Sequence, residues 1–226
     1  MMELFLNSLF SADFLFMVIR VCTPILFGAM AAMISTKCGV VNITIDGTML
    51  MSALMGTLVS AFTQNLFLGF LGGLLTGIAM GAFLAFFHVK MKTPSNTTGV
   101  AMNLFANGFS VFLCAVLAGD KGSTSKLASL TFPIVNIPII EDIPFIGTAF
   151  SGHNLLTYVC FLLVIALYVF IYRTPFGLKM RAVGENEVAA KSAGENVDRI
   201  KILSLVLAGA VSSLGGMFLS MGYVSS

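Results

Sequence analysis

The sequence predicts an all-α fold, a polytopic bundle of about six transmembrane helices, and three observations lead to this prediction. Of the 226 residues, 58% are hydrophobic and 10% are charged, whereas about 25% of residues are charged in an ordinary soluble domain. The mean hydropathy is +0.99. The apolar residues also fall into separate runs that approach the roughly 20 residues a helix needs to cross a bilayer. A water-soluble fold of this length could not bury so much apolar surface.

Six stretches of the chain qualify as spans. They are residues 13–34, 47–62, 66–88, 99–118, 155–172 and 202–221. The second is short and follows the polar segment CGVVNITIDG, so it is either one complete crossing or a broken, re-entrant helix. Irregular backbone is tolerated at membrane depth only where protein or a water-filled cavity surrounds it. Residues 1–226 form a single transmembrane domain in this interpretation.

The distribution of Lys and Arg predicts the orientation, because cytoplasmic loops carry an excess of both. If the second stretch is one crossing, nine basic residues fall on one side: Lys37, Lys90, Lys92, Arg173, Lys179, Arg181, Lys191, Arg199 and Lys201. The loop 119–153 on the other side has only Lys121 and Lys126. The N-terminus is therefore predicted outside, and residues 173–201 are predicted to be a cytoplasmic loop.

Small residues recur every four positions in two of the spans. The third span has Gly69, Gly73, Gly77 and Gly81, and the last has Ala208, Ser212, Gly216 and Ser220. This spacing places each row on one helix face, where a neighbouring helix can approach closely. We interpret both rows as helix-packing seams, with the lining of a conduit as the alternative.

Polar side chains within or beside the spans are few. The ionisable and amide candidates are Arg20, in the middle of the first span, and Asn42, Asp46, Asn103 and Asn107. Asn103 and Asn107 share one helix face because they are four residues apart. Intramembrane polar groups usually face the bundle interior or a wet cavity. Two interpretations stay open, namely hydrogen bonds between helices and the polar lining of a path for a hydrophilic solute.

The sequence lacks the motifs that are typical of other classes of protein function. There is no GxxxxGK[ST] phosphate loop, so any ATP must be bound by another polypeptide. The two histidines form no HExxH motif or nucleophile–base pair, and the four cysteines form no CxxC pair, so no catalytic residue and no metal site is predicted. Nucleic acid is excluded as a partner because no basic patch adjoins aromatic residues. A chain of Asp, Glu and His within the spans is also missing, which disfavours ion-coupled transport.

The segment RTPFGLKMRAVGENEVAAKSAGENVDRIK is the most informative part of the sequence. Gly184 and Gly194 bracket a stretch that favours a short helix. Asn186 can cap this helix, and Glu187 and Lys191 are placed to form an i, i+4 ion pair. A short rigid helix just below the membrane suits the groove of another protein, although these residues alone equally fit a solvated surface helix.

This segment resembles the cytoplasmic signature of the permease subunits of ABC importers for simple sugars, nucleosides and branched-chain amino acids. The family pattern Arg-Thr-x-x-Gly-x-x-x-Arg-Ala-x-Gly-Glu-Asn precedes an Ala-rich segment and a second glycine. It is matched by Arg173, Thr174, Gly177, Arg181, Ala182, Gly184, Glu185, Asn186, Ala189, Ala190, Ala193 and Gly194. The earlier segment GVVNITIDG resembles a second family motif, with Asp46 where the family usually has glutamate. TTGVAMNLFANGFSVFL resembles the fourth-span region of the nucleoside and simple-sugar branch.

The resemblance implies a bacterial inner-membrane assembly. Two permease subunits sit on two cytoplasmic ATPase subunits that bind ATP, and an extracytoplasmic solute-binding lipoprotein delivers the solute. Within residues 173–201, the resemblance assigns coupling to the ATPase to Arg181, Gly184, Glu185, Asn186, Ala189, Ala190 and Gly194. It assigns the translocation path to Asn42, Asp46, Asn103 and Asn107.

Three further expectations complete this interpretation. The solute is expected to be a neutral hydrogen-bonding molecule, a nucleoside or simple sugar rather than a branched-chain amino acid, because no cluster of charge lies in the spans. Family members usually continue for two or more spans after LGGMFLSMGYVSS, so the chain is expected to be truncated at its C-terminus. The alternatives are an ion-coupled secondary transporter and a membrane scaffold without transport activity.

Overall fold

The structure is a computed structural model that describes residues 12–118, 130–135 and 151–222. These residues contain eight α-helices: α1 (Ala12–Lys37), α2 (Ile45–Thr63), α3 (Leu66–Ala85), α4 (Ser95–Leu113), α5 (Leu155–Arg173), α6 (Pro175–Glu185), α7 (Glu187–Ser192) and α8 (Val197–Met217). Three helices end in π-helical turns: α3 at Phe86–Lys90, α4 at Cys114–Ala118 and α8 at Phe218–Gly222. Two short strands, β1 (Ile134–Val135) and β2 (His153–Asn154), form one antiparallel pair.

The predicted all-α bundle with six spans is confirmed. Six helices are long and apolar enough to cross a membrane: Phe14–Lys37, Ile45–Thr63, Leu66–Lys90, Ser95–Leu117, Leu155–Arg173 and Val197–Gly222. The second of them is continuous over 19 residues, and the irregular backbone lies before it, at residues 38–44. The structure therefore shows a plain helix at this position rather than a broken one.

Two helices begin earlier than the hydropathy of the sequence predicts. Helix α4 begins at Ser95 and α8 begins at Val197, whereas the apolar runs begin at residues 99 and 202. Polar first turns are stable because capping groups satisfy the free N–H groups of the helix. In α8 the side chain of Asn196 accepts a hydrogen bond from the N–H of Arg199 at 3.1 Å. Hydropathy detects the apolar part of such a helix and misses its capped end.

Helix α8 lies at the centre of the bundle and packs against α1, α2 and α3. Helix α2 also packs against α3 and α4, and α5 packs against α1. Buried side chains from α1 and α8, among them Phe27, Leu205 and Met217, form one continuous apolar core. Most of the exposed large apolar side chains are Phe, Leu, Ile and Val in the spans. The outer surface of the bundle is therefore suited to contact with lipid.

The glycine row of α3 lies against α2 and α8. A Cβ atom on Gly69 would be 2.9 Å from the carbonyl oxygen of Gly56 in α2, and one on Gly81 would be 2.5 Å from that of Leu205 in α8. At the middle of the row, Gly77 and Gly209 face each other across the α3–α8 contact. The backbones of these helices therefore approach until no side chain fits between them, which is the geometry of a packing seam.

The two ends of the bundle collect different segments. Gly184 of α6 contacts the end of α1 at Lys37, so two segments predicted to be cytoplasmic meet at one end. At the opposite end, the N–H of Phe132 donates to the carbonyl of Met221 at 3.2 Å, next to the β1–β2 pair. Most of the predicted outer loop, residues 119–129 and 136–150, lies outside the described residues.

Candidate functional site

The loop predicted to be cytoplasmic begins with a tight turn from α5 into α6. The side chain of Thr174 caps α6 by accepting a hydrogen bond from the N–H of Gly177 at 3.1 Å, and Pro175 occupies the first turn, where its missing N–H is not needed. A Cβ atom on Gly177 would lie 2.4 Å from the carbonyl oxygen of Ile171. Glycine at position 177 thus lets α6 fold back directly beneath α5.

Gly184 fixes the other end of α6 to α1. A Cβ atom at position 184 would lie 2.3 Å from the carbonyl oxygen of Lys37 and 3.1 Å from the backbone N of Gly39. Gly39 itself has φ of +82°, a conformation that side chains rarely adopt. The two glycines therefore join the signature segment to the end of the first span.

The predicted short helix is present as α7, Glu187–Ser192. The side chain of Asn186 caps it by accepting a hydrogen bond from the N–H of Ala189 at 3.0 Å, and Gly194 ends it with φ of +86°. Ala189 is exposed, whereas Ala190 is 6% exposed and belongs to the core. The two alanines, which the sequence does not distinguish, thus lie on an exposed and a buried side of α7.

An ion pair holds α7 to α8. The Nζ of Lys201 lies 2.6 Å from Oε2 of Glu187, so the predicted pair between Glu187 and Lys191 is wrong. Lys201 lies one turn into the neighbouring helix and is only 13% exposed, which gives Glu187 a less mobile partner than Lys191. The hydrogen bond from Lys201 lowers the pKa of Glu187, with smaller contributions from the charges of His88 and Lys191.

The attachment of α7 is expected to depend on pH in the acid range. Because the pKa of Glu187 lies below its usual 4.5 in the folded protein, the ion pair stabilises the fold above that value and is lost as the pH falls through the folded pKa. Hydrogen exchange at the amides of α7, corrected for intrinsic rates, should change little between about pH 7 and pH 5 and accelerate below about pH 4.

Glu187→Gln provides the control for this experiment. The variant has no carboxylate to protonate, so its corrected exchange rates in α7 should be high at every pH. Acid dependence that persists in Glu187→Gln would contradict the role given to the ion pair.

The remaining coupling candidates, Arg181 and Glu185, lie on different surfaces. The guanidinium carbon of Arg181 lies 5.1 Å from the centre of the Tyr172 ring, at the end of α5. Glu185 is exposed. Of the seven residues assigned to coupling, only Glu185, Asn186, Ala189 and Gly194 are exposed on the outside of the loop.

Asn103 caps the N-terminus of α2 from a different helix. Its Oδ1 accepts a hydrogen bond from the N–H of Gly47 at 3.0 Å, and its Nδ2 donates to the carbonyl of Ile43 at 2.8 Å. Thr44, the residue at the cap position of α2, makes no side-chain capping bond. A Cβ atom on Gly47 would lie 2.6 Å from Oδ1 of Asn103. The amide therefore uses one acceptor and one donor to join α4 to the irregular segment before α2.

The other path candidates line two separate grooves. Asn42 and Asp46 lie on a groove of about 760 Å³ between α1 and α2. Asn107, which is exposed, lies on a groove of about 380 Å³ between α2, α4 and the end of α8. The second groove is also lined by three hydroxyl-bearing residues, Thr57, Ser110 and Ser220. The structure thus does not bring the four polar candidates together into one site.

Two contacts in this arrangement were not predicted from the sequence. Gly209 and Ser213 contact Gly77, although the row identified in the last span was Ala208, Ser212, Gly216 and Ser220. The spacing of Gly209, Ser213 and Gly216 could have revealed a second small face. Arg181 and Tyr172 lie in two different helices joined by a turn. Their contact does not follow from a helical spacing of residues, so the sequence pattern could not predict it.

The comparisons with known proteins identify the family. The family model described as "Branched-chain amino acid transport system / permease component" matches residues 14–226. The chain belongs to this permease family. Curated relatives include the guanosine ABC transporter permease protein NupQ of Bacillus subtilis, 32% identical over 85% of this chain, and the nucleoside ABC transporter permease protein NupC of Lactococcus lactis, 27% identical over 86%. A glucose ABC transporter permease protein, TsgB13 of Haloferax volcanii, is 26% identical over 95% of this chain.

The resemblance found in the sequence is therefore confirmed at the level of the permease family. The chain spans 62% of NupQ, 62% of NupC and 58% of TsgB13. No solved structure matches it. Together with the six apolar helices, its permease relatives indicate a multi-pass protein of the bacterial inner membrane.

Proposed function

We propose that this permease chain is the membrane-spanning part of an ATP-driven ABC importer for a small neutral solute, a nucleoside or a simple sugar. The proposal further includes a cytoplasmic ATPase that binds ATP, a second permease subunit and an extracytoplasmic solute-binding lipoprotein. Relatives named as guanosine, nucleoside and glucose permeases support the solute class. Branched-chain amino acids are the less favoured solute.

The geometry of α7 is the observation that carries the proposal. A capped six-residue helix stands at the cytoplasmic end, and its Val188 is 75% exposed. Most other large apolar side chains with high exposure lie in the spans, where lipid can cover them. A capped, exposed helix at this end gives a protein partner a rigid surface on which to dock, and Val188 adds an apolar contact to that surface. Since Gly184 ties the loop to α1 and Lys201 ties it to α8, movement of α7 would reach the spans directly.

The groove beside Asn107 supports a neutral solute. Its lining residues are Leu50, Ala53, Leu54, Thr57, Asn107, Ser110, Val111, Cys114 and Ser220, with no Lys, Arg, Asp or Glu among them. The hydroxyls of Thr57, Ser110 and Ser220 donate to backbone carbonyls of their own helices. Their oxygens are left as acceptors for a solute that donates hydrogen bonds. Such a surface suits the hydroxyl groups of a sugar or a ribose better than a carboxylate.

Transport by the full-length protein in vesicles, with the ATPase and the binding protein, tests the function. We expect uptake of a labelled nucleoside or sugar that requires ATP and survives an ionophore. Uptake that needs no ATPase and collapses with the ionophore would instead identify a secondary transporter.

The two alanines of α7 test the docking of the ATPase. Ala189→Glu places a carboxylate on the exposed face, so solute-stimulated ATPase activity should fall on the order of tenfold or more while membrane insertion stays normal. Ala190→Glu places a charge at a buried position and should mainly lower the amount of folded protein. For both variants, the amount of correctly inserted complex and the ATPase rate per complex are measured separately.

Asn96→Glu is the matched control for these variants. Asn96 is exposed in the first turn of α4, on the same side of the membrane and outside the loop, and a carboxylate there is compatible with the helix N-terminus. Normal coupling in Ala189→Glu, or equal loss in Asn96→Glu, would refute docking through α7.

A further inference from the structure

Two guanidinium groups at the cytoplasmic end of α5 have no carboxylate partner among the described residues. Arg173 ends α5 and Arg181 lies in α6, and neither forms an ion pair within that part of the chain. Among the neighbouring acids, Glu187 pairs with Lys201 and Glu195 with Lys179, and neither Glu185 nor Asp198 forms an ion pair with either arginine. The Nε of Arg181 is also buried without a hydrogen-bond partner. The positive charge at this place therefore calls for an anion from outside the described residues.

The position of Arg181 directs it toward the membrane. Gly177 and Gly184, one turn before and one turn after it, contact the backbones of α5 and α1 respectively. Residues three to four positions apart share one face of a helix, so this face of α6 is turned to the ends of the spans. The stacking of Arg181 on Tyr172 at 5.1 Å agrees with this direction. Arg181 thus lies against the end of α5, beside Tyr172, rather than on the exposed surface of α7.

An apolar stripe on α5 leads to the same place. Leu162, Ile165, Val169 and Tyr172 are exposed by 69%, 67%, 47% and 42%, and their spacing of three to four residues puts them on one face. Tyr168 lies beside Tyr172, with 5.2 Å between the ring centres. Tyrosine is enriched at the boundary between acyl chains and headgroups. The stripe can accommodate an acyl chain, and the two tyrosines mark its headgroup end.

We propose that Arg181, Tyr172 and Arg173 bind the headgroup phosphate of an anionic phospholipid in the cytoplasmic leaflet. The acyl chain follows the exposed stripe of α5, and the phosphate approaches the guanidinium groups. Arginine suits this ligand because its planar fork can pair with two phosphate oxygens while its face stacks on an aromatic ring. A bound lipid at this junction would hold α6, and with it α7, against the end of α5.

Lipid binding by the purified chain, without any ATPase, tests the proposal independently of transport. The affinities of fluorescent phosphatidylglycerol and phosphatidylcholine for the protein in detergent micelles are compared. Wild type should prefer phosphatidylglycerol, and Arg181→Gln should reduce that preference on the order of tenfold, the effect of losing one charge-assisted contact. Arg173→Gln should reduce it less. Arg181→Lys, which keeps the charge and loses the fork, should fall between Arg181→Gln and wild type.

Four further measurements make the result decisive. Lys92→Gln removes an exposed cation on the same side of the membrane, so an equal loss in that variant would reduce the effect to general electrostatics and overturn the site. Soluble glycerol phosphate should compete weakly, and strong competition would identify a free-phosphate site instead. If circular dichroism shows that Arg181→Gln is misfolded, the preference for phosphatidylglycerol is measured in Arg173→Gln and Tyr172→Leu instead. An unchanged preference in both variants would overturn the proposal. A photo-cross-linking group placed at position 168 should react with lipid. Cross-linking from this position to another protein instead would also overturn the proposal.

Discussion

Alanine at position 209 is expected to force α3 and α8 apart and to leave little folded protein. A Cβ atom there would lie 2.3 Å from the carbonyl oxygen of Gly77 and 3.0 Å from the Cα of Gly81. Both neighbours are backbone atoms, which cannot rotate away as a side chain can. Overpacking costs about 1–3 kcal/mol and occasionally more, whereas alanine gains at most about 1 kcal/mol over glycine in helix propensity. Because both clashes are with backbone atoms, we expect the cost to lie at the upper end of that range or above it, so the net effect of Gly209→Ala is a loss of stability.

Gly108→Ala is the matched control. Gly108 also lies within a spanning helix, α4, but a Cβ atom there would meet nothing within 4 Å. The melting temperature of Gly108→Ala in detergent should equal or exceed that of wild type, while Gly209→Ala should melt far lower or elute as aggregate. Similar melting temperatures for the two variants would show that the α3–α8 seam does not limit stability.

The glycine row illustrates what the sequence could and could not reveal about the fold. A spacing of four residues is a local property, so it was sufficient to place Gly69, Gly73, Gly77 and Gly81 on one face of α3. The helix that contacts that face depends on how the other spanning helices are arranged around α8, and no local sequence pattern specifies that arrangement. The small face that was noted in the last span begins one residue before Gly209, the glycine that faces Gly77.

The loop between α5 and α8 shows the same division between local and tertiary information. Asn186 as the cap and Gly194 as the end of α7 follow from local chemistry, and both were predictable. The partner of Glu187 was not predictable, because Lys201 is 14 residues away and becomes a neighbour only when α7 packs on α8. Burial has the same origin, since the sequence does not distinguish Ala189 from Ala190.

The roles of the path candidates were the hardest to predict. A polar side chain in a span can either form hydrogen bonds between helices or line a path for the solute, and the residue type alone does not distinguish these roles. Asn103 and Asn107 share a face by spacing. The structure nevertheless gives Asn103 two backbone partners and leaves Asn107 exposed on a groove. Being one turn apart, they reach different neighbours, the start of α2 for Asn103 and the mouth of the groove for Asn107. A translocation role remains a proposal for Asn42, Asp46 and Asn107.

Leucine at positions 103 and 107 should therefore give opposite phenotypes. Asn103→Leu removes the acceptor for the N–H of Gly47, which is buried, and the donor to Ile43. An unsatisfied buried group costs about 1–3 kcal/mol, so the melting temperature should fall and α2 should exchange amide hydrogens faster in its first turn. Asn107→Leu breaks no described side-chain hydrogen bond and should melt like wild type, but reduce solute uptake by the full-length complex.

The comparison requires both readouts on both variants. Uptake per folded molecule, with its KM, separates the two roles, because a capping residue changes the amount of folded protein and a lining residue changes KM. If Asn103→Leu melts normally and raises KM, Asn103 contacts the solute and the tertiary cap is dispensable. If Asn107→Leu leaves KM unchanged, the groove between α2, α4 and α8 is not on the path, and the groove beside Asp46 becomes the stronger candidate, since it is lined by the two remaining polar candidates, Asn42 and Asp46.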